Sequence, residues 1–230
     1  MDPNLYHAAS MGNVGIVQYG SQFETQFTPA RNTVLHVAVM FEQTLCVKVI
    51  LRNCNPSLLC RVNIKGDTAL HIAAKEGYSA IVDALIERAR LQGENTVKYM
   101  VRITNKDGDT ALHGAMQYFP RNSYIQKVSI SVRERWFGLQ NRGVYVVKQL
   151  VKEDEEFCYP PNKAEETPLY LAAEKGLVDS LGEILKTCCG SPSYSGPRGR
   201  TALHAAVIFD SEGAYQEINA IYLNTQNLYY

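Results

Sequence analysis

The fold is decided by the stretch Thr68-Ala69-Leu70-His71-Ile72-Ala73-Ala74. Its first four positions recur along the chain, in some copies with a residue exchanged, and the copies are Thr33–His36, Thr68–His71, Thr110–His113, Thr167–Tyr170 and Thr201–His204. Successive threonines are 35, 42, 57 and 34 residues apart, so the base period is near 34. A weaker sixth copy begins near Leu5. A period of this length indicates a solenoid of short supersecondary units.

Each copy of the phrase is predicted to begin a helix. Threonine is a good N-cap, because its hydroxyl accepts a hydrogen bond from an unpaired backbone N–H of the first turn. Leu70, Ala73 and Ala74 then form one apolar stripe, and Gly77 is expected to end the helix. A second apolar run at residues 81–86 predicts a partner helix. The repeating unit is therefore a helix pair.

The segments before the threonines are rich in turn-forming residues, and we name them fingers because they are predicted to project as short β-turns. They cover residues 63–67, 105–109, 162–166 and 196–200. A lone helix pair cannot bury its apolar face, so the units must stack. The sequence thus predicts an all-α solenoid of about six helix pairs, forming a single domain over residues 1–230. The predicted units lie near residues 2–29, 30–62, 63–104, 105–161, 162–195 and 196–223.

The composition argues against several classes of function. The 23 basic and 23 acidic residues cancel, so no global field would attract nucleic acid or an anionic membrane. No apolar stretch approaches the roughly 18 to 20 residues that span a bilayer, and the amino terminus lacks the pattern of a signal peptide. The six cysteines show neither metal-site nor disulfide spacing. We expect no cofactor, no metal ion and no nucleic-acid partner.

Four of the five histidines occupy the same position of the repeat, and Tyr170 takes it in the copy that begins at Thr167. A histidine there can bond both to the threonine hydroxyl and to the backbone of a neighbouring turn, which would tie successive units together. Zinc ligands must converge on one point, whereas these side chains are spread along a stack. No nucleophile-and-base pattern is present, so the chain is predicted not to be an enzyme. The structural repeat positions are Thr33, His36, Thr68, His71, Thr110, His113, Thr167, Tyr170, Thr201 and His204.

The fourth unit carries an insertion of about 23 residues, near residues 118–143. It holds five basic residues against Glu134 alone, together with the only tryptophan, Trp136. The insertion is therefore either a partner-binding or anionic-surface loop, or a lengthening that is tolerated without function. About eight further residues are in excess near residues 91–100, and the fourth unit is predicted to be the weakest. The acidic run Glu153–Glu156 is expected to be a solvated exit from the preceding helix rather than a site for a metal ion or a basic partner.

These motifs resemble the ankyrin-repeat family over nearly the whole chain, from about Leu5 to about Leu223. The segments Asn32–His36, Lys65–His71, Val151–Asp154 and Gly199–Val207 further resemble the plant ankyrin-repeat membrane proteins of the accelerated-cell-death type. That resemblance implies a cytosolic array followed by a carboxy-terminal membrane region, in proteins of defence, cell-death control and stress signalling. The chain ends at Tyr230 without such a region. It is expected to be either the cytosolic part of an anchored protein or a soluble short form.

The resemblance implies that a protein partner binds on the concave face formed by the fingers and the first helices. The candidate contacts are Lys65, Asp67, Lys75, Glu76, Lys106, Asp107, Asp109, Lys163, Glu165, Glu174, Lys175, Arg198 and Arg200. An alternative function is self-assembly, as a homo-oligomer or with a membrane-anchored relative with which a short form would compete. The expected location is the cytoplasm or the cytosolic face of the plasma membrane.

Overall fold

The computed structural model describes residues 1–117, 142–187, 193 and 195–226, with side chains described to residue 220. Within these ranges the chain is helical and contains no β-strand. The α-helices are α1 (Pro3–Ser10), α2 (Val34–Met40), α3 (Thr44–Asn53), α4 (Ala69–Lys75), α5 (Ser79–Arg90), α6 (Glu94–Arg102), α7 (Ala111–Gln117), α8 (142–152), α9 (Pro168–Lys175), α10 (Val178–Thr187), α11 (Ala202–Ile208) and α12 (Glu212–Gln226). Short 3-10 helices cover Val14–Gln22, Pro56–Cys60 and Pro197–Gly199.

The helices form a continuous stack of pairs. The first helix of each pair begins at the repeated phrase, and the first helices are α1, α2, α4, α7, α9 and α11. Each of them packs against the next first helix along the chain, and second helices such as α3, α5, α10 and α12 pack against their own first helices. The predicted all-α solenoid of about six helix pairs is confirmed. The unit boundaries given above stay a prediction.

Threonine caps the first helices, as predicted. The side chains of Thr33, Thr68, Thr167 and Thr201 each accept a hydrogen bond from the backbone N–H three residues ahead. Pro168 follows Thr167 in the first turn, where a missing N–H costs nothing. A cap of this kind contributes about 1 kcal/mol to helix stability, so the repeated threonine fixes where each unit starts.

The first helices end in a left-handed residue. Gly77 and Gly176 have φ of +68° and +70°, which glycine adopts without a steric penalty. Glu42 and Asp210 stand at the corresponding places and take the same conformation, with φ of +55° and +53°. A residue with a Cβ pays roughly 1 kcal/mol for this backbone. Phe119, the third residue that replaces the glycine, lies outside the described residues.

The core lies between the two layers of helices. Leu70, Ala73 and Ala74 on α4 are buried, and so are Ile81 and Leu85 on α5. Full burial of a leucine or isoleucine contributes about 1.5 to 3 kcal/mol, and the small alanines let neighbouring first helices approach closely. The 3.6-residue period in the sequence therefore predicts the buried face correctly.

Two units depart from a simple helix pair. In the first unit the second element is the 3-10 helix Val14–Gln22 rather than an α-helix, and Gly15 and Gly20 within it disfavour regular helix. In the third unit the excess residues form the additional helix α6, which packs against α5 and α7. The insertion predicted near residues 118–143 falls mostly on residues 118–141, which lie outside the described part of the chain.

The expectation that the acidic run after α8 is solvated was wrong for its first two residues. The side chain of Asp154 is fully buried and that of Glu153 is 7% exposed. The reason is α6, which lies beside the run and, with the end of α5, supplies arginine partners to both carboxylates. A sequence without the additional helix would have left these groups in water.

Candidate partner-binding surface

A groove of about 990 Å³ runs along one face of the array, between first helices α2, α4 and α7 and the fingers that precede them. Its floor includes Ile72 on α4 and Gly114 on α7, and its walls include the finger residues Ile64 and Lys106. Seven of the candidate contact residues line it: Lys65, Asp67, Lys75, Glu76, Lys106, Asp107 and Asp109. The structure thus brings together the candidates of the first two fingers, residues 63–67 and 105–109, and those at the end of α4.

Five of these seven residues have exposed side chains: Lys65, Lys75, Glu76, Lys106 and Asp107. Within the described part of the chain, no carboxylate lies in salt-bridge range of the three lysines. A partner can therefore bind these lysines without breaking an ion pair to a described carboxylate. The groove also exposes apolar area, because Met40 is 48% and Ile64 is 51% exposed.

The other two candidates in the groove are engaged by neighbouring fingers. Asp67 Oδ1 accepts from Asn105 Nδ2 at 2.9 Å. Asp109 is only 7% exposed, and its two carboxylate oxygens accept from Asn162 at 2.7 Å and from Gln117 at 3.1 Å. We therefore remove Asp109 from the candidate surface, because a buried carboxylate that is already bonded cannot contact a partner.

The remaining candidates do not line this groove. Lys163 and Arg198 are exposed on the following fingers, and Arg200 is half-buried. Glu165 Oε2 accepts from the backbone N–H of Arg198 at 3.1 Å. Lys175 donates from Nζ to the carbonyls of Met116 and Gln117, at 2.9 and 3.2 Å, so it caps the end of α7. Glu174, next to it on α9, is half-buried.

An asparagine side chain bonds to the backbone within each of the first three fingers. Asn63 Oδ1 accepts from the backbone N–H groups of Lys65 and Asp67, at 2.9 and 3.0 Å. Asn105 and Asn162 make the same two bonds in their own fingers. This role was missed in the sequence analysis, although the recurrence of asparagine five residues before the threonine was a usable signal. The bonds preorganise the groove wall.

Successive fingers are also bonded to one another. The N–H of Lys106 donates to the carbonyl of Lys65 at 2.9 Å, and the N–H of Lys163 donates to that of Asp107 at 2.8 Å. Gly66 is required at this contact, because it has φ of +82° and an added Cβ would lie 2.7 Å from the backbone nitrogen of Lys106. The bonded fingers therefore form one continuous wall of the groove.

The histidines tie the units together, as predicted. His71 Nε2 lies 3.0 Å from the carbonyl oxygen of Asp109, the residue before the next threonine. His36 makes the same contact to Asp67 at 2.9 Å, and His113 to Glu166 at 3.1 Å. His204 is exposed, and no such partner is present among the residues described after it. The bond thus occurs where a further unit follows.

The tautomer of these histidines follows from the bonds. Nδ1 of His71 accepts from the backbone N–H of Thr68 at 3.2 Å, so the ring proton must be on Nε2, which donates to the carbonyl. Protonation at Nδ1 would break the cap, and burial also disfavours the charged ring. Burial lowers the pKa of His36 and His71 below the ordinary 6.5, and it lowers the pKa of His113 to about 4.

We expect the array to lose stability in mild acid. The unfolded histidines bind protons near pH 6.5 and the folded ones do not, so the free energy of unfolding falls as pH falls from 6.5 through the lowered pKa. For His113 alone the loss between pH 7 and pH 5 is about 2 kcal/mol. Urea unfolding at the two pH values measures the loss. Identical midpoints at pH 7 and pH 5 would contradict the prediction.

In the ranges that the structure describes, no group of three or more His, Cys, Asp or Glu side chains is arranged to hold a metal ion. No helix in those ranges has both the length and the apolar composition needed to cross a membrane.

The comparisons with known proteins agree with this geometry. The chain matches the family model described as ankyrin repeats (3 copies), over residues 5–92 and 35–127, which together span more than half of it. No curated protein matches the sequence.

Three solved structures are similar to the whole fold. An ankyrin repeat domain from Acinetobacter baumannii has a TM-score of 0.69 at 15% identity, over 95% of this chain and 97% of that one. The ankyrin repeat protein EF0377 has a TM-score of 0.63 at 17% identity, over 94% and 96%. A chain from the complex of the predatory endopeptidase Bd0816 of Bdellovibrio bacteriovorus with immunity protein Bd3460 has a TM-score of 0.62 at 19% identity, over 95% and 98%.

Proposed function

Because this chain belongs to the ankyrin-repeat family, whose arrays are generally non-catalytic protein-interaction modules, we propose that it binds a protein partner in the groove along α2, α4 and α7. The observation that carries the proposal is the set of exposed head groups of Lys65, Lys75 and Lys106, which have no carboxylate partner among the described residues and lie on a preorganised wall and floor. A surface that needs no rearrangement pays little conformational entropy when it binds.

The groove offers a partner two kinds of contact. Met40, Ile64 and the partly buried Ile72 supply apolar area near its floor and wall. Lys75 and Lys106 flank this area and can pair with carboxylates, whereas Glu76 and Asp107 can pair with basic side chains. Apolar contact at the centre with charges around it is the usual division of work at protein interfaces, where the charges set orientation more than affinity.

We further propose that the partner belongs to defence, cell-death or stress signalling in plants, and that the array acts in the cytosol or at the cytosolic face of the plasma membrane. The support for this finer assignment is the resemblance of Lys65–His71 and Gly199–Val207 to anchored plant proteins. Fractionation of the endogenous product, with a mass readout, tests the location. Recovery in a compartment other than the cytosol or the plasma membrane would contradict it.

The groove is tested by reversing two of its charges. We expect Lys75→Glu with Lys106→Glu to weaken binding of a captured partner by about tenfold or more, because each change replaces an attraction by a repulsion. The partner is captured with the wild-type chain, identified by mass spectrometry, and its dissociation constant is measured for each variant.

A matched control makes the same change of charge outside the groove. Lys48 on α3 and Arg61 are both exposed and do not line it, so Lys48→Glu with Arg61→Glu should leave the affinity within about twofold. Equal weakening by both double variants would show that only net charge matters. Unchanged binding by the groove variant would remove this surface from consideration.

A further inference from the structure

Three ion pairs join the additional helix α6 and the end of α5 to the turn that follows α8. Arg90 at the end of α5 pairs with Glu153, with Nε donating to Oε2 at 3.2 Å. Arg102 Nε pairs with Asp154 Oδ2 at 2.5 Å. Lys98 Nζ lies 3.9 Å from Glu156. We call α6, together with Arg90, the strap.

The contacts continue from the strap back to α8. The guanidinium of Arg102 lies over the ring of Phe157, 5.1 Å from its centroid. Phe157 packs against Tyr159, with ring centroids 4.7 Å apart, and the Tyr159 hydroxyl donates to the carbonyl of Leu150 on α8 at 3.2 Å. One arginine therefore reaches α8 through a chain of direct contacts.

Helix α8 lacks a short connection to α7, the first helix of its own pair. Only Glu76, Gly77 and Tyr78 separate α4 from α5 in the third unit, so the turn itself brings those helices together. Residues 118–141 separate α7 from α8, so no three-residue turn brings these two helices together. The buried residues Val146 and Val147 favour docking, yet something else must supply the restraint that the turn supplies elsewhere.

We propose that the strap is an ionic clamp that docks α8 onto the third unit and thereby lets the fourth unit carry a long insertion. The clamp lies where the units before the insertion meet the units after it. The stability of this junction therefore depends on ionic strength. The clamp holds α8 through the turn at its C-terminal end, and α7 stays bound to α4 through the bond from His71.

The pair formed by Asp154 is the contact on which the clamp depends most. Its side chain is fully buried, and Oδ1 has no hydrogen-bond partner among the atoms that the structure describes, so its charge depends on Arg102. Removing one partner of a buried ion pair leaves an uncompensated charge, which is far more costly than removing both. The cationic side chains are 39% to 50% exposed, so salt reaches them and screens the attraction.

Hydrogen exchange on the full chain tests the clamp residue by residue. We expect Arg102→Met to lower the protection of the amides in 142–159 by about 30-fold or more, while protection in α2 to α5 changes by less than about threefold. The control is Lys148→Met, which removes the contact of α8 to Glu183 at 3.9 Å and should change protection by less than about threefold. Should Arg102→Met fail to fold, Arg90→Met removes a pair at the rim.

Salt dependence separates a clamp from general stabilisation. Raising sodium chloride from 0.05 to 1 M should lower protection in 142–159 of the wild type by about tenfold. The loss should be much smaller in Arg102→Met with Asp154→Leu, where an apolar contact replaces the buried ion pair and only the pairs of Arg90 and Lys98 remain for salt to screen. A loss of protection that is spread evenly over the array overturns the proposal. So does unchanged protection of residues 142–159 in both Arg102→Met and Arg90→Met. So does a salt response of equal size in the apolar variant.

Discussion

The His71→Leu variant is expected to lose about 3 to 5 kcal/mol of its free energy of unfolding, because three buried polar groups lose their partner at once. The carbonyl of Asp109 loses the donor Nε2–H, and the backbone N–H and hydroxyl of Thr68 lose the acceptor Nδ1. Leucine fits the volume but supplies neither group. Urea unfolding followed by circular dichroism at pH 7.5, where His71 is neutral, measures the loss.

His204→Leu is the matched control, since His204 makes the same bonds to its own cap, with 3.2 Å to the N–H of Thr201 and 2.8 Å to its hydroxyl. It is exposed and has no described partner in a following unit. We expect it to cost less than about 1 kcal/mol. Equal losses in the two variants would mean that the bond between units contributes nothing and that only the cap matters.

Gly196→Asn is expected to destabilise the last junction by about 3 kcal/mol. An added Cβ at Gly196 would lie 2.0 Å from Cδ2 of Tyr170, a contact that the backbone must move to relieve. Asparagine is the ordinary residue at this place, as at Asn63, Asn105 and Asn162, but those fingers follow a histidine rather than a tyrosine. Thermal unfolding and exchange protection of α11 report the loss.

The contact between Tyr170 and Gly196 explains why this finger lacks the asparagine, and a second substitution at Tyr170 should restore stability. With Tyr170→His in the same chain, the smaller ring leaves room for the asparagine, and the double variant should recover at least half of the lost stability. Gly199→Asn is the control in the same finger, because no atom lies within 4 Å of its added Cβ and asparagine tolerates its φ of +68°. If the double variant is no more stable than Gly196→Asn, the ring is not the obstacle.

Local pattern was enough to predict the stack. The threonine caps, the left-handed helix ends and the buried alanines depend on residues within one turn of each other, so a single copy of the phrase already contains the information. The bond from His71 to Asp109 spans 38 residues, yet it was predictable because the same residue type recurs at the same place in each unit. Repetition turns a long-range contact into a short-range rule.

The strap could not be predicted in this way. The pair of Arg102 and Asp154 spans 52 residues and occurs once, so no recurrence reveals it. The excess near residues 91–100 was located, but its charged and exposed residues did not show that it would fold as a helix beside an acidic run. Burial of Asp154 depends on that helix, and the expectation of a solvated run failed for this reason.

The groove was predicted only in part. Lys65 and Lys75 lie where the repeat places them, because finger and first-helix positions follow from the period. Asp109 was chosen on the same positional ground and proved to be buried, since Asn162 of the next finger takes its carboxylate. Position in a repeat predicts the face of the molecule, whereas the competition for each head group depends on the neighbouring unit.

The fit between Tyr170 and Gly196 also bears on how the chain assembles. Units of similar structure can dock out of order while the chain folds, and such misassembly is a characteristic failure of repeat proteins. A fifth unit that docked against the finger of another unit would press its tyrosine ring against an asparagine. This clash disfavours the wrong order of units. Gly196, which breaks the asparagine pattern of the fingers, thus favours the correct neighbour for the fifth unit.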